Sequence, residues 1–240
     1  MRRLAAALLI AASAATAAPA QDGRRLLTET EAREWTGVGR LNIAGRRFCT
    51  ASLIAPDLAL TAAHCLYNPQ TRQPVPLGEL RFVAGLRLGG HVGWRRVRAT
   101  AAPRDYAFTV RPTVAAMGTD VALLELEAPL PNAARVLDVG RRGREAEAVT
   151  IVSYARDRAH APSIETGCAQ RGRIGLVTAV DCRIDRGASG APVFMGEGTD
   201  RRIVAIVSAT SGERGQGEAL VVDVAPILPG LRAALGRGVP

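Results

Sequence analysis

Hydrophobic positions in this chain come in short clusters, and the residues between clusters favour turns. Runs rich in Val, Ile, Leu, Phe and Thr occupy 38–43, 48–54, 58–61, 80–84, 92–97, 121–126, 148–154, 173–177, 192–195, 203–208 and 220–224. Gly, Pro, Asn or Asp stands between most of them. Short runs bounded by turn formers predict strands, and this many predict an all-β sandwich or barrel. Helical spacing appears only at 227–235, where Pro229 and Gly230 keep the helix short. A Pro-rich crossing, Pro129-Leu130-Pro131-Asn132, separates two strand-rich halves, 35–125 and 132–225.

The N-terminus follows a different pattern. Met1-Arg2-Arg3 is basic, residues 4–17 are apolar, and Ala18-Pro19-Ala20 offers an A-x-A cleavage site. This is the layout of a secretory signal peptide, expected at 1–20. The apolar run is shorter than the roughly 20 residues a membrane span needs, and no other stretch could cross. Residues 21–34 are polar and charged, and read as a loose leader or short propeptide, leaving 35–240 as the folded domain. The mature protein is then expected to be secreted or periplasmic, off the membrane, and monomeric.

Composition adds two constraints. With 240 residues, 48% of them hydrophobic, the chain can build real cores. The formal charge is +9 and all of its basic residues are Arg. Absence of Lys beside abundant Ala fits codon bias in a GC-rich genome better than selection for nucleic-acid binding. The basic run Trp94-Arg95-Arg96-Val97-Arg98 alternates as the solvated face of a strand, and 4% aromatic residues is low for a base-stacking platform. No nucleic-acid partner is expected. The four cysteines, Cys49, Cys65, Cys168 and Cys182, form no Cys-x-x-Cys pair, which argues against zinc and thioredoxin-type chemistry. An even number in an exported chain points to two disulfides.

The chemistry centres on Gly187-Ala188-Ser189-Gly190. Small neighbours let a substrate carbonyl reach the Ser189 hydroxyl, and the glycines let the Gly187 and Ser189 N–H groups converge on an oxyanion. A serine needs a base, and the base needs an orienting group. Thr61-Ala62-Ala63-His64-Cys65 ends an apolar run and presents His64 on a small-residue turn. Cys65 can pair with Cys49, closing a loop worth about 3 kcal/mol and anchoring that turn. Asp120, opening the apolar run Val121-Ala122-Leu123-Leu124, can be held out of water to accept the His64 Nδ1 proton.

These three stretches, in the order His, Asp, Ser, resemble the trypsin-like (chymotrypsin-fold) serine peptidases. The resemblance implies two six-stranded Greek-key β-barrels with the active cleft between them. It implies peptide hydrolysis through an acyl-enzyme: Ser189 attacks, His64 carries the proton, Asp120 orients the imidazole, and Gly187 and Ser189 hold the oxyanion. No metal or cofactor is required, and the partner is a protein or peptide substrate. Asp181-Cys182, seven residues before Ser189, resembles the secreted bacterial glutamyl-endopeptidase-like members, in which that cysteine is tied to an upstream one, here Cys168. A catalytically silent, peptidase-fold binding protein is the alternative, and a PDZ-bearing quality-control protease the more distant one.

Two departures stand out. Ala188 replaces the Asp that receives a new N-terminal ammonium in zymogen-type trypsins, so the site is expected to form without that salt bridge. For specificity, Arg183 falls in the register of the pocket floor, with Ser208 and Thr210 on its wall. Arg183 would favour acidic side chains. Val207, where glutamate-specific members have histidine, removes support for glutamate. Thr210, where glycine usually keeps the mouth open, favours small residues.

Overall fold

In the computed structural model, which describes residues 23–144, 147–211 and 217–236, the chain enters through β1 (Arg25–Leu26) and one helical turn, α1 (Glu29–Ala32). The expected signal peptide, 1–20, lies outside the described residues. Six strands then close a barrel: β2 (Val38–Ile43), β3 (Arg47–Ala55), β4 (Leu58–Thr61), β5 (Leu80–Ala84), β6 (Gly93–Ala101) and β7 (Ala122–Leu126). Their order is β2-β3-β4-β7-β6-β5, with the single turn α2 (Val114–Met117) before β7. Val38, Leu41, Phe82, Leu123 and Leu124 are fully buried inside. Gly39 is required where β2 meets β5, because a side chain there would collide with the Phe82 ring.

Beyond the Pro-rich crossing come β8 (Val149–Ser153), β9 (Ser163–Cys168), β10 (Gln170–Ile174), β11 (Val177–Arg183), β12 (Pro192–Met195), β13 (Arg202–Thr210) and β14 (Glu218–Asp223). They join β1 in an eight-stranded sheet ordered β1-β9-β8-β12-β13-β14-β11-β10. The sheet curls on itself. The Cys168–Cys182 disulfide ties β9 to β11, and the Arg183 N–H donates to Glu165 Oε2 at 2.7 Å across the same gap. The C-terminal helix α3 (Leu228–Gly236) packs Leu231 inward.

The all-β expectation, the closed six-stranded first barrel and the short C-terminal helix hold. The second half differs in detail: eight strands stand where six were expected, because β1 and β10 extend its edges. The run 173–177, expected as one strand, is divided: Arg173 and Ile174 end β10, Gly175 (φ +59°) and Leu176 make the hairpin turn, and Val177 opens β11. β10 is an edge strand whose residues are mostly exposed, so it has no alternating apolar face to announce it. The basic run in β6 is tied to its own barrel: Arg81 stacks on Trp94, and Arg98 pairs with Glu125 at 2.6 Å.

Residues 23–34 carry one buried side chain and several contacts to the rest of the fold. Leu27 is 2% exposed. Its N–H donates to Pro162 O at 3.0 Å, and its carbonyl accepts from Arg87 Nη1 at 2.9 Å. Arg24 pairs with Asp157 at 2.6 Å, and the Arg24 carbonyl accepts from Arg158. The segment therefore straps the second sheet to Arg87 of the first barrel. Leu27→Ala should destabilise the protein by about 2–5 kcal/mol, the cost of a large-to-small change in a core. Urea unfolding checks it, and an unchanged midpoint would mean the strap carries no load.

Candidate active site

β4 runs into a single 3₁₀ turn, Ala63–Leu66, that carries His64. Two devices hold the turn. Cys65 is bonded to Cys49 on β3. The Arg47 guanidinium donates to the carbonyls of Cys65, at 3.1 Å, and Tyr67. Burial without a carboxylate beside it lowers the Arg47 pKa from its ordinary value.

Asp120 follows α2 and is 4% exposed. A buried carboxylate is costly unless its lone pairs are taken up. Here Oδ1 accepts the His64 backbone N–H at 2.8 Å, and Oδ2 accepts from His64 Nδ1 at 2.7 Å and from the Ser208 hydroxyl at 2.5 Å. An ionised carboxylate only accepts, so Nδ1 bears the hydrogen and Nε2 keeps its lone pair. Asp120 thus grips the histidine by both backbone and ring. Among the described residues Nε2 has no oxygen partner; its neighbour is Cys65 Sγ at 3.8 Å.

Ser189 sits half-buried on the turn between β11 and β12. The Ala188 N–H donates to Asp185 O at 3.0 Å and the Gly190 N–H to Val207 O at 2.7 Å, fixing both flanks. Gly187 and Gly190 have φ +100° and +78°. A side chain at Gly187 would enter the Phe48 ring, and one at Gly190 would strike Thr61 and the Thr50 carbonyl. Both positions therefore need glycine for space as well as for backbone angle. The N–H groups of Gly187 and Ser189 donate to no acceptor among the described residues. The Ser189 hydroxyl likewise has no partner among the described residues.

The first barrel reaches this turn through Thr50 on β3. Its N–H donates to Ser189 O at 2.8 Å. Its hydroxyl donates to Gly187 O at 2.9 Å and accepts from the Tyr154 N–H at 3.0 Å. Thr50 is fully buried. No motif in the sequence singled it out; its signal is only a polar residue inside an apolar run.

Beside His64 and Asp120 lies a cavity of about 240 Å³, walled by Tyr106, Phe108, Met117 and Ala209, with Arg47 also lining it. Tyr67 stacks on Phe108, with centroids 5.2 Å apart. Burial and the negative charge of Asp120 raise the Tyr106 pKa, keeping its hydroxyl neutral. Tyr106 and Phe108 belong to a segment with no strand pattern and no motif, and sequence reasoning missed them.

The expected specificity residues separate. Ser208 gives its hydroxyl to Asp120 and also lines the cavity beside His64. Arg183 and Thr210 lie opposite adjacent residues of β14, Glu218 and Ala219, which brings them to one end of the second sheet. Arg183 is exposed, Thr210 half-buried, and neither lines the cavity beside His64. Two clusters of metal-ligating residue types occur among the described residues, but each contains disulfide sulfurs, which lack the thiolate that binds metal.

A family model described as Trypsin matches residues 27–229. The chain belongs to the trypsin family. Two solved structures share its fold. One is described as a Glu endopeptidase in complex with MPD, with TM-score 0.74 and 18% identity, covering 90% of this chain and 98% of that one. The other is a human heparin binding protein, with TM-score 0.72 and 17% identity, covering 91% and 98%. The family match starts at Leu27, the residue where the N-terminal strap becomes buried. No helix among the described residues of this trypsin-family protein is long and apolar enough to cross a membrane.

Thr50→Val keeps the shape of Thr50 but strips the Gly187 carbonyl and the Tyr154 N–H of a buried partner. The variant should lose about 1–3 kcal/mol of stability. Denaturant unfolding reads it, and a loss no larger than that of a surface substitution would remove Thr50 from the account.

Proposed function

We propose that this protein is an exported serine endopeptidase working through an acyl-enzyme. The observation that supports the reading most is the double grip of Asp120 on His64. It leaves the His64 Nε2 lone pair as the base for Ser189. In the proposed cycle Nε2 takes the Ser189 proton as Oγ attacks the scissile carbonyl. Asp120 stabilises the imidazolium, and Ser208 shares the carboxylate's charge. The open N–H groups of Gly187 and Ser189 take the oxyanion. His64 then returns the proton to the leaving amine, and water repeats the sequence on the ester.

Export is supported by the basic, apolar and A-x-A segments of residues 1–20 and by the two disulfides, which persist outside a reducing cytosol. Ala188 is buried and has no carboxylate to offer a new N-terminus, so activity should not await that ion pair. At the substrate pocket, Thr210 stands where an open mouth would have glycine, and small P1 residues are expected. A peptide-library profile dominated by Lys or Arg at P1 would overturn this preference.

The direct test is the intact mass of the purified protein after a fluorophosphonate, with Ser189→Ala in parallel. One adduct on the native chain and none on the variant is the expected result. No adduct on a folded, disulfide-intact protein would favour a silent binding protein. Asp120→Asn should lower kcat by about 10⁴-fold, because an amide cannot enforce the tautomer. A loss below tenfold in steady-state hydrolysis would remove Asp120 from the mechanism.

A further inference from the structure

A second concentration of charge lies away from the cleft, at the other end of β13 and β14. β14 ends at Asp223, which pairs with Ala205 on β13. Ala205 is three residues before Ser208, about 10 Å along the strand. Asp223 is buried, and its side chain is 5% exposed. Its two oxygens are taken by different arginines: Oδ1 by Arg142 Nε at 2.5 Å and Oδ2 by Arg173 Nη2 at 2.7 Å.

Each guanidinium therefore gives Asp223 only one nitrogen and keeps donors to spare. Arg142 is the most constrained, with a side chain 4% exposed. Its Nη1 donates to Gln170 Oε1 at 2.9 Å, but its buried Nη2 has no partner among the described residues. A buried donor left unpaired costs about 1–3 kcal/mol. Arg142 also lines a cavity of about 220 Å³ together with Arg141, Arg173 and Asp223, with Val204 and Pro226 as apolar wall. The Arg141 side chain is exposed and makes no hydrogen bond or ion pair with a described residue. Three cations thus face one carboxylate, an excess of two positive charges around one recess.

We propose that this recess binds a tetrahedral oxyanion, the chemistry of a sulfate or phosphate group. Guanidinium forks match the oxygens of such a group and bind them with charge-assisted hydrogen bonds. A dianion balances the excess of two charges, whereas a carboxylate would leave one uncompensated. A group seated there supplies acceptors to the arginine donors that Asp223 leaves over. The site is separate from His64, Asp120 and Ser189, and it does not depend on the peptidase reading.

The test is thermal unfolding of the full folded protein in sodium sulfate or sodium phosphate against sodium chloride at equal ionic strength. Sulfate stabilises proteins generally by exclusion from their surfaces, so the comparison is with Arg141→Gln/Arg173→Gln. At an anion concentration of 100 times Kd, the native protein should gain about 5 °C more than this variant. Arg141→Gln alone touches no described partner and should lose part of the gain even if the double variant melts without cooperativity. A sulfated disaccharide is the second arm. Saturation at lower concentration than the inorganic ion would assign the group to a glycan, and the reverse order to a free anion. Equal gains in native and Arg141→Gln proteins, or no gain over chloride in the native protein, would overturn the site.

Discussion

The proposed chemistry depends on how a closed six-stranded barrel and a second, eight-stranded sheet are docked. His64 and Asp120 belong to the first barrel and Ser189 to the second sheet, so their alignment is only as good as the seam between them. Thr50 carries much of that seam. Its backbone and hydroxyl bond to Ser189, Gly187 and Tyr154, and the residue is fully buried. Apolar contacts such as Trp35 edge-on to Phe194 supply adhesion, but adhesion tolerates sliding. The buried hydrogen bonds do not, because each is lost outright when its partner moves.

The same logic explains the environment of Asp120. Burial would normally drive a carboxylate to its neutral form. Three donors from two segments, the backbone and ring of His64 on one and the Ser208 hydroxyl on the other, offset that penalty. Ser208 comes from the second sheet, so the carboxylate is also part of the seam. Docking and electrostatics are therefore one arrangement: separating the sheets would remove a donor from the charge that orients the histidine.

Arginine serves a different purpose at each of several places in the fold. Arg47 spends its donors on carbonyls and holds the histidine turn. Arg87 reaches the Leu27 carbonyl and holds the N-terminal strap. Arg142 and Arg173 share a single carboxylate and leave donors over. A chain whose only long cation is Arg brings a planar, multi-donor group to every such position, which suits carbonyl clamps and oxyanions better than a point charge would.

The sequence alone determined the strand-rich class and the terminal helix, and it singled out the three stretches holding His64, Asp120 and Ser189. These are local signals: turn formers between β-prone runs, and small residues packed around a reactive one. It could not determine β10, whose exposed edge has no apolar face, nor the packing of residues 23–34, whose polar surface hides one buried leucine. Thr50, Tyr106 and the Asp223 cluster were equally out of reach, because their partners lie far away in the chain and only folding brings them together. Ser208 shows the limit most plainly. Its position on β13 was legible, but the direction of its hydroxyl was decided by a buried carboxylate on the other barrel that needed one more donor.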